Sequence, residues 1–238
     1  MCGMAITAAI GIMCKAPRPG ATKTRLGALI GAGAAAQLSE CFLRDVAAAI
    51  EAIPERLGRK GYGVYAPAGA EAELRRVLPS SFDLLLKQDA QFDNVLHGAV
   101  QDLLAQGHDC VALINGDSPT LPSRLLSDAI DALRRPGDRM VLGPAADGGY
   151  YLIGLKFPHR HVFSDIPWGT DAVARLTLQR ARDISLETLC LPEWYDVDDA
   201  ETLEWLRDEL AGRSDRFKDG GTANATRAHL ATMAMAGQ

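Results

Sequence analysis

Hydrophobic and polar positions along this chain fall into blocks whose period switches repeatedly between strand-like and helix-like. Residues 5–13 form a nearly continuous apolar run, which predicts a first strand buried on both faces. After an alanine-rich stretch, Leu38, Phe42, Val46, Ile50 and Ile53 recur at helical spacing until Pro54 closes the segment. Residues 61–66 predict a second strand, 71–78 a short helix and 83–87 a third strand. From Phe92 through Val95, Leu96, Ala99, Val100, Leu103 and Leu104 the spacing is helical again, ending near Gly107. Residues 110–114 are continuously apolar, as expected of a central strand in a parallel sheet. Ser123 reads as the N-cap of a helix through Arg135, and residues 185–191 as a later strand. Strands alternating with helices at this spacing predict an α/β fold: a single, mostly parallel, doubly wound sheet with helices on both faces.

Chemistry concentrates where strands end. Between the first strand and the following helix lie four cations, Lys15, Arg18, Lys23 and Arg25, in a loop shaped by Pro17, Pro19 and Gly20. A basic loop leading into a helix N-terminus is a good anion trap, because free backbone N–H groups and the positive dipole end converge with the side chains. Lys15, Arg18, Gly20, Lys23, Thr24 and Arg25 are thus candidates for binding phosphates; a solvated basic turn is the plainer alternative. The loop has neither a Walker A nor a GxGxxG pattern.

Asp117 follows the central strand, where ligands bind in open α/β sheets, and is the first candidate to hold a divalent cation, Mg²⁺ or Mn²⁺. An Asx turn ahead of Pro119 would explain it equally simply. In residues 140–153, Asp147, Gly148, Gly149 and Tyr150 form a tight turn between apolar runs, read both as a hairpin and as a site offering a carboxylate and a phenol. Trp168 precedes a helix whose expected N-cap is Thr170; it either stacks on a ligand or plugs the helix end against the core. Asp198 and Glu201 have capping-box spacing ahead of a last helix over 202–210, leaving Asp196 and Asp198 as candidates for a second metal carboxylate.

Composition narrows the partners. A net charge of -5 in 238 residues argues against a nucleic-acid binder, so the basic loop looks like a local site for a small anion. Five scattered cysteines without a CxxC pair favour reduced thiols and a cytoplasmic protein, with Cys14 and Cys110 as buried small hydrophobes. No signal peptide or bilayer-length apolar run is seen. Histidines 159 and 161 lack partners at metal-ligand spacing and read as surface or packing residues. Beyond Gly212 the chain turns polar and Ala/Gly/Thr-rich, which predicts a frayed helix or flexible tail over 212–238 after a domain spanning 1–211.

Four motifs in order, KAPRPGATKTRL, INGDSPTLP, GPAADGGYYLIGL with IPWGTD, and YDVDDAETL, resemble the DUF2064 family, glycosyltransferase-like members of the nucleotide-diphospho-sugar transferase superfamily with a GT-A fold. The resemblance covers about residues 10–206 and implies a nucleotide-binding domain with a mixed sheet. It implies that the basic loop holds nucleotide phosphates, that Asp117 and Asp198 are the metal carboxylates, and that the Asp147–Tyr150 turn lines the second-substrate pocket. The chain departs from the family pattern at Phe92-Asp93-Asn94, where Asp-Leu-Gly is usual, and at Asn115-Gly116-Asp117, where Gly-Ser/Thr-Asp is usual.

The expected function is a metal-dependent transferase that moves a sugar from an NDP-sugar to a small acceptor. Asp147 is the candidate base, Lys23 and Arg25 neutralise the departing phosphates, and Trp168 and Thr170 help form the acceptor pocket. The alternative is a nucleotidyltransferase joining an NTP to a phosphorylated acceptor with release of pyrophosphate. A non-catalytic nucleotide-binding protein is the third reading.

Overall fold

The apolar run near the N-terminus becomes the centre of a seven-stranded sheet in the computed structural model, which describes residues 7–236. In chain order the elements are β1 (Ala8–Lys15), α1 (Thr24–Ile30), α2 (Ala32–Glu51), β2 (Arg59–Ala66), α3 (Glu71–Val77), β3 (Asp83–Leu86), α4 (Phe92–Ala105), β4 (Cys110–Asn115), α5 (Ser123–Arg134), β5 (Arg139–Pro144), β6 (Tyr150–Leu155), α6 (Val173–Asp183), β7 (Glu187–Cys190), α7 (Ala200–Leu210) and α8 (Asn224–Ala236). The apolar run counted from Ala5 thus enters the sheet at Ala8; Ala5, Ile6 and Cys2 lie outside the described residues.

The strand order is β3-β2-β1-β4-β6-β5-β7. β3, β2, β1 and β4 run parallel, β6 is antiparallel to both β4 and β5, and β7 is parallel to β5. The reversal has a local cause: the turn carrying Asp147 is too short for a crossover, so β5 and β6 close as a hairpin and β6 slots in beside β4.

Alternation along the central strands feeds two cores. Ile10, Ile12, Ala112 and Ile114 face a layer containing α2, α3, α5 and α7, with Phe42, Leu74, Leu125 and Leu203 buried in it. Val111 and Leu113 face the other layer, where Leu96 and Val100 of α4 and Ala174 and Ala181 of α6 are buried. Helices therefore cover both faces, as the sequence pattern predicts for a doubly wound sheet. Among the described residues no helix is long and apolar enough to cross a membrane.

Some boundaries move. Ser123 is the first residue of α5 and not its cap: Pro122 takes the cap position, with no side-chain hydrogen bond. The last strand is shorter than expected, Glu187–Cys190, because Ser185 turns into a positive φ of 55°. The largest difference lies beyond Gly212, where the expected flexible tail is instead folded back. The Asp45 carboxylate, on α2 and 7% exposed, accepts hydrogen bonds from the backbone N–H groups of Ala225 (2.9 Å) and Thr226 (2.8 Å) and so caps α8. Phe217 is buried against Trp194, Tyr195 and Trp205, and Gly221 N–H donates to the Thr120 carbonyl at 2.7 Å. The cap and the aromatic partners come from distant parts of the chain, so local composition does not announce them.

Candidate functional site

β1 and β4 end side by side, in register from Ala8 opposite Cys110 to Met13 opposite Asn115, so the loops after them share one edge of the sheet. The basic loop leaves β1 at Lys15 and enters α1 through Lys23, which takes a left-handed conformation, φ 51° and ψ 48°, at the cap position. That conformation is unfavourable for a side chain with a Cβ, and tertiary contacts hold it. The Lys23 ammonium lies 2.9 Å from Asp117 Oδ2 and 2.5 Å from Asp198 Oδ1, and its side chain is only 4% exposed. Burial opposes its charge, but Asp117 and Asp198 more than compensate, and its pKa rises above the usual lysine value. Arg25 adds a contact of 3.0 Å to Asp198 Oδ2 from a position 68% exposed.

The four loop cations therefore part company. Arg18 turns outward to grip Glu73 of α3 in a two-pronged contact of 2.6 and 2.8 Å, and neither Arg18 nor Gly20 lines the cavity described below. Lys15 and Thr24 do line it, along with Lys23 and Arg25. The loop does not aim all of its charge at the cavity, because a carboxylate 55 residues further along the chain pairs with Arg18.

The loop carrying Asp117 is zipped to the segment carrying Asp196 and Asp198. Val197 N–H donates to the Asp117 carbonyl at 2.9 Å, and the fully buried Ser118 hydroxyl donates to the Tyr195 carbonyl at 2.7 Å. Gly116 lets the Asp117 loop pass close to α2 and β1, since a Cβ there would lie 2.7 Å from Leu43 Cδ2 and 3.3 Å from the Met13 carbonyl oxygen. The cap of α7 falls one residue later than the spacing with Glu201 suggests. Asp199 accepts from Thr202 N–H at 3.0 Å, and Thr202 Oγ1 accepts from Asp199 N–H, completing a capping box. Asp198 is consequently free to face Lys23 and Arg25. Asp196 is half-buried; burial, then the neighbouring charges of Asp147 and Asp198, pushes its carboxyl up to about 7.

The second motif is a hairpin turn closed by Ala145 N–H on the Gly149 carbonyl (2.9 Å) and by Gly149 N–H on Asp147 Oδ1 (2.8 Å). Gly148, at φ +87°, packs directly on the chain entering α6: a Cβ would lie 2.2 Å from the Asp171 carbonyl oxygen. Its first role is that contact. Trp168 is half-buried and meets Phe92 edge-on at 5.1 Å and Tyr150 at 6.4 Å between ring centroids. Thr170 donates to the Pro167 carbonyl at 2.8 Å and accepts from Ala172 N–H at 3.3 Å, closing a turn ahead of α6; the cap position belongs to Ala172, without a side-chain bond.

Two adjoining cavities result. The larger, about 600 Å³, runs from Lys23, Arg25, Asp117 and Asp198 towards Lys87 and Gln88. The smaller, about 180 Å³, is walled by Phe92, Tyr150 and Trp168 with Asp147 at its edge. Met13, Phe92 and Asn115 line both. Lys87, Gln88 and Asn115 were not expected from sequence; each follows or ends a strand at the same sheet edge, and that position was the available signal. Cys14 also lines the larger cavity, but burial and nearby Asp117 push its thiol up to about 12, so it is no nucleophile. Asp117 and Asp198 converge on one cation, the Lys23 ammonium. Among the described residues no group of three or more His, Cys, Asp or Glu forms a ligand set.

Comparison with known proteins bears on this arrangement. A candidate nucleotide-diphospho-sugar transferase from Desulfovibrio desulfuricans G20 has a similar crystal structure: TM-score 0.81 and 29% identity, covering 96% of this chain and 97% of that one. A cytidylyltransferase from Leptospira borgpetersenii shares the fold at TM-score 0.57 and 11% identity, over 97% and 96% of the two chains. So does a 4-diphosphocytidyl-2C-methyl-D-erythritol synthase, at 0.58 and 11%, over 86% and 98%. No curated protein matches the sequence. The family model described as "Uncharacterized protein conserved in bacteria (DUF2064)" matches residues 50–170, and the chain belongs to that family.

Proposed function

We propose that this chain is a nucleotide-utilising transferase, and that its reaction is the transfer of a sugar from an NDP-sugar to a small acceptor. The observation that carries the reading is the Lys23 ammonium held between Asp117 and Asp198 in the wall of a cavity of about 600 Å³. Two carboxylates and a ring of cations at the carboxyl ends of parallel strands suit a diphosphate together with its counter-cation. The similarity to a candidate nucleotide-diphospho-sugar transferase over nearly the whole chain supports the same reading.

Asp117 and Asp198 would hold Mg²⁺ or Mn²⁺, which when bound neutralises charge on a departing diphosphate. Two carboxylates suit an ion that completes its shell with water and substrate oxygens. Lys23, released from the carboxylates by the incoming cation, and Arg25 would face the phosphates, with Lys15 and Thr24 along the wall. Asp147, lining the smaller cavity, would accept the proton of an acceptor hydroxyl. Asp196, with its carboxyl near neutrality, is a second proton acceptor in the same cluster. The free thiols of Cys14, Cys41, Cys110 and Cys190 suit work in a reducing cytoplasm.

A thermal-shift screen of the purified protein with Mg²⁺ or Mn²⁺ against NTPs, NDPs and NDP-sugars tests this, because a ligand that binds only the folded state raises Tm. A larger shift with one NDP-sugar than with its NDP is the expected result. A shift confined to an NTP, with pyrophosphate released on adding a phosphorylated acceptor, would replace glycosyl by nucleotidyl transfer. No metal-dependent shift with any nucleotide would refute the site.

A further inference from the structure

The two adjoining cavities differ in charge. The larger carries Lys15, Lys23, Arg25 and Lys87. The smaller has no Lys, Arg or His among its described lining residues; its charged member is Asp147, and Asp196 lies within electrostatic reach of Asp147. Its wall is otherwise Phe92, Tyr150 and Trp168 over Leu113, with Asn115 at the junction between the cavities. Two of the lining residues keep a buried polar atom without a protein partner, the Tyr150 hydroxyl and Asn115 Oδ1. An aromatic wall with reserve hydrogen bonding is suited to the apolar face and hydroxyls of a ring such as a sugar or cyclic polyol. A phosphate or carboxylate there would meet the Asp147 carboxylate and no cation among the described lining residues.

We propose that this smaller cavity is the acceptor subsite and that its acceptor is a neutral, hydroxylated ring compound, not a phosphorylated or carboxylated one. The proposal rests on the transferase reading above and sharpens it, because it separates glycosyl transfer to a neutral hydroxyl from nucleotidyl transfer to a phosphate. In the step it implies, the acceptor hydroxyl oxygen bonds to the anomeric carbon of the donor sugar. The bond from that carbon to the diphosphate oxygen breaks, the diphosphate keeps the electron pair, and the hydroxyl proton passes to the Asp147 carboxylate.

Calorimetric titration tests this on the full chain loaded with Mn²⁺ and the NDP that gives the largest thermal shift. The probes are myo-inositol and methyl glucoside against inositol monophosphate and glucose 6-phosphate. The neutral rings should bind at least about tenfold more tightly than their phosphates, since opposed like charges disfavour the wrong partner strongly. Trp168→Ala should weaken the neutral ligands at least about tenfold, as expected for loss of an aromatic platform, while the nucleotide-induced Tm shift persists. Asp147→Asn should narrow the gap between neutral and phosphorylated ligands. Equal or tighter binding of the phosphates, no effect of Trp168→Ala, or no binding of either neutral ring alongside an intact nucleotide shift would each overturn the proposal. A missing nucleotide shift would instead sink the transferase reading, and the same titrations on the unloaded chain would still decide the charge preference of the cavity.

Discussion

Lys23 is the residue on which the site's charge balance turns, and Lys23→Met isolates it. Methionine keeps an unbranched stem of similar length and removes the ammonium, which also lies 5.8 Å from the centroid of the Phe42 ring. A fully buried ion pair that loses one partner costs about 3–5 kcal/mol; an exposed pair is worth about 0–1 kcal/mol. Here the lysine side chain is 4% exposed while Asp117 and Asp198 are 39% and 34% exposed. Water therefore relieves part of the repulsion between the stranded carboxylates, and the loss falls between the limits, at about 2 kcal/mol. For a chain of this size that corresponds to a Tm lower by about 4–8 °C. The backbone supplies a control. Lys23→Gly removes the same charge but accepts the left-handed conformation without strain, so it should be more stable than Lys23→Met by about 1 kcal/mol, less any packing lost with the stem. Millimolar Mg²⁺ should raise the Tm of Lys23→Met more than that of the wild type, because in the wild type the ion must displace an ammonium from the same oxygens. Differential scanning calorimetry with and without Mg²⁺ measures all three. A Lys23→Met protein as stable as the wild type, with the same response to Mg²⁺, would refute the reasoning that the two carboxylates share one cation.

Other outcomes follow from the packing around the site. Gly148→Ala should cost about 2–4 kcal/mol, combining a positive φ with a backbone clash at Asp171. Gly149→Ala, whose new Cβ would meet only the movable Asp147 carboxylate at 3.0 Å, should cost less than half as much; equal losses in urea unfolding would contradict the assigned contact. Glu209 accepts from Tyr195 (2.5 Å) and Thr120 (2.7 Å), and burial raises its pKa above the ordinary value. A raised folded-state pKa makes the protonated form the favoured one, so its contribution is full below the unfolded value, about 4.3, and is lost as pH rises through the folded value. Relative to Glu209→Gln, the wild type should therefore lose stability as pH climbs above about 4.3. Parallel stability curves for the two proteins would show that Glu209 does not titrate in this way.

The sequence by itself determined the elements and the places where chemistry gathers. Continuous apolar runs at β1 and β4, helical periodicity at α2 and α4, and an Asp-Gly-Gly turn between apolar runs are local signals, and local structure obeys them because side-chain burial repeats with the backbone period. Lys23, Asp117 and Asp198 stand at strand ends or helix starts, and those positions mark each of them in the sequence. What the tertiary structure alone decided is who pairs with whom. Lys23 meets Asp198 across 175 residues and Arg18 meets Glu73 across 55, because right-handed crossovers bring loops from distant strands to one sheet edge. The same holds for the cap of α7, where local spacing with Glu201 points to Asp198 but the structure uses Asp199. The zipper between the loops of Asp117 and Val197 fixes the strand's phase, and that phase hands the cap to Asp199 and leaves Asp198 facing the cavity. α8 is held by Asp45, 180 residues before Ala225, so a segment whose composition reads as a tail becomes part of the fold. Local energies set what each segment can form; pair energies between charges, caps and cavity walls depend on distances that exist only once the sheet has assembled.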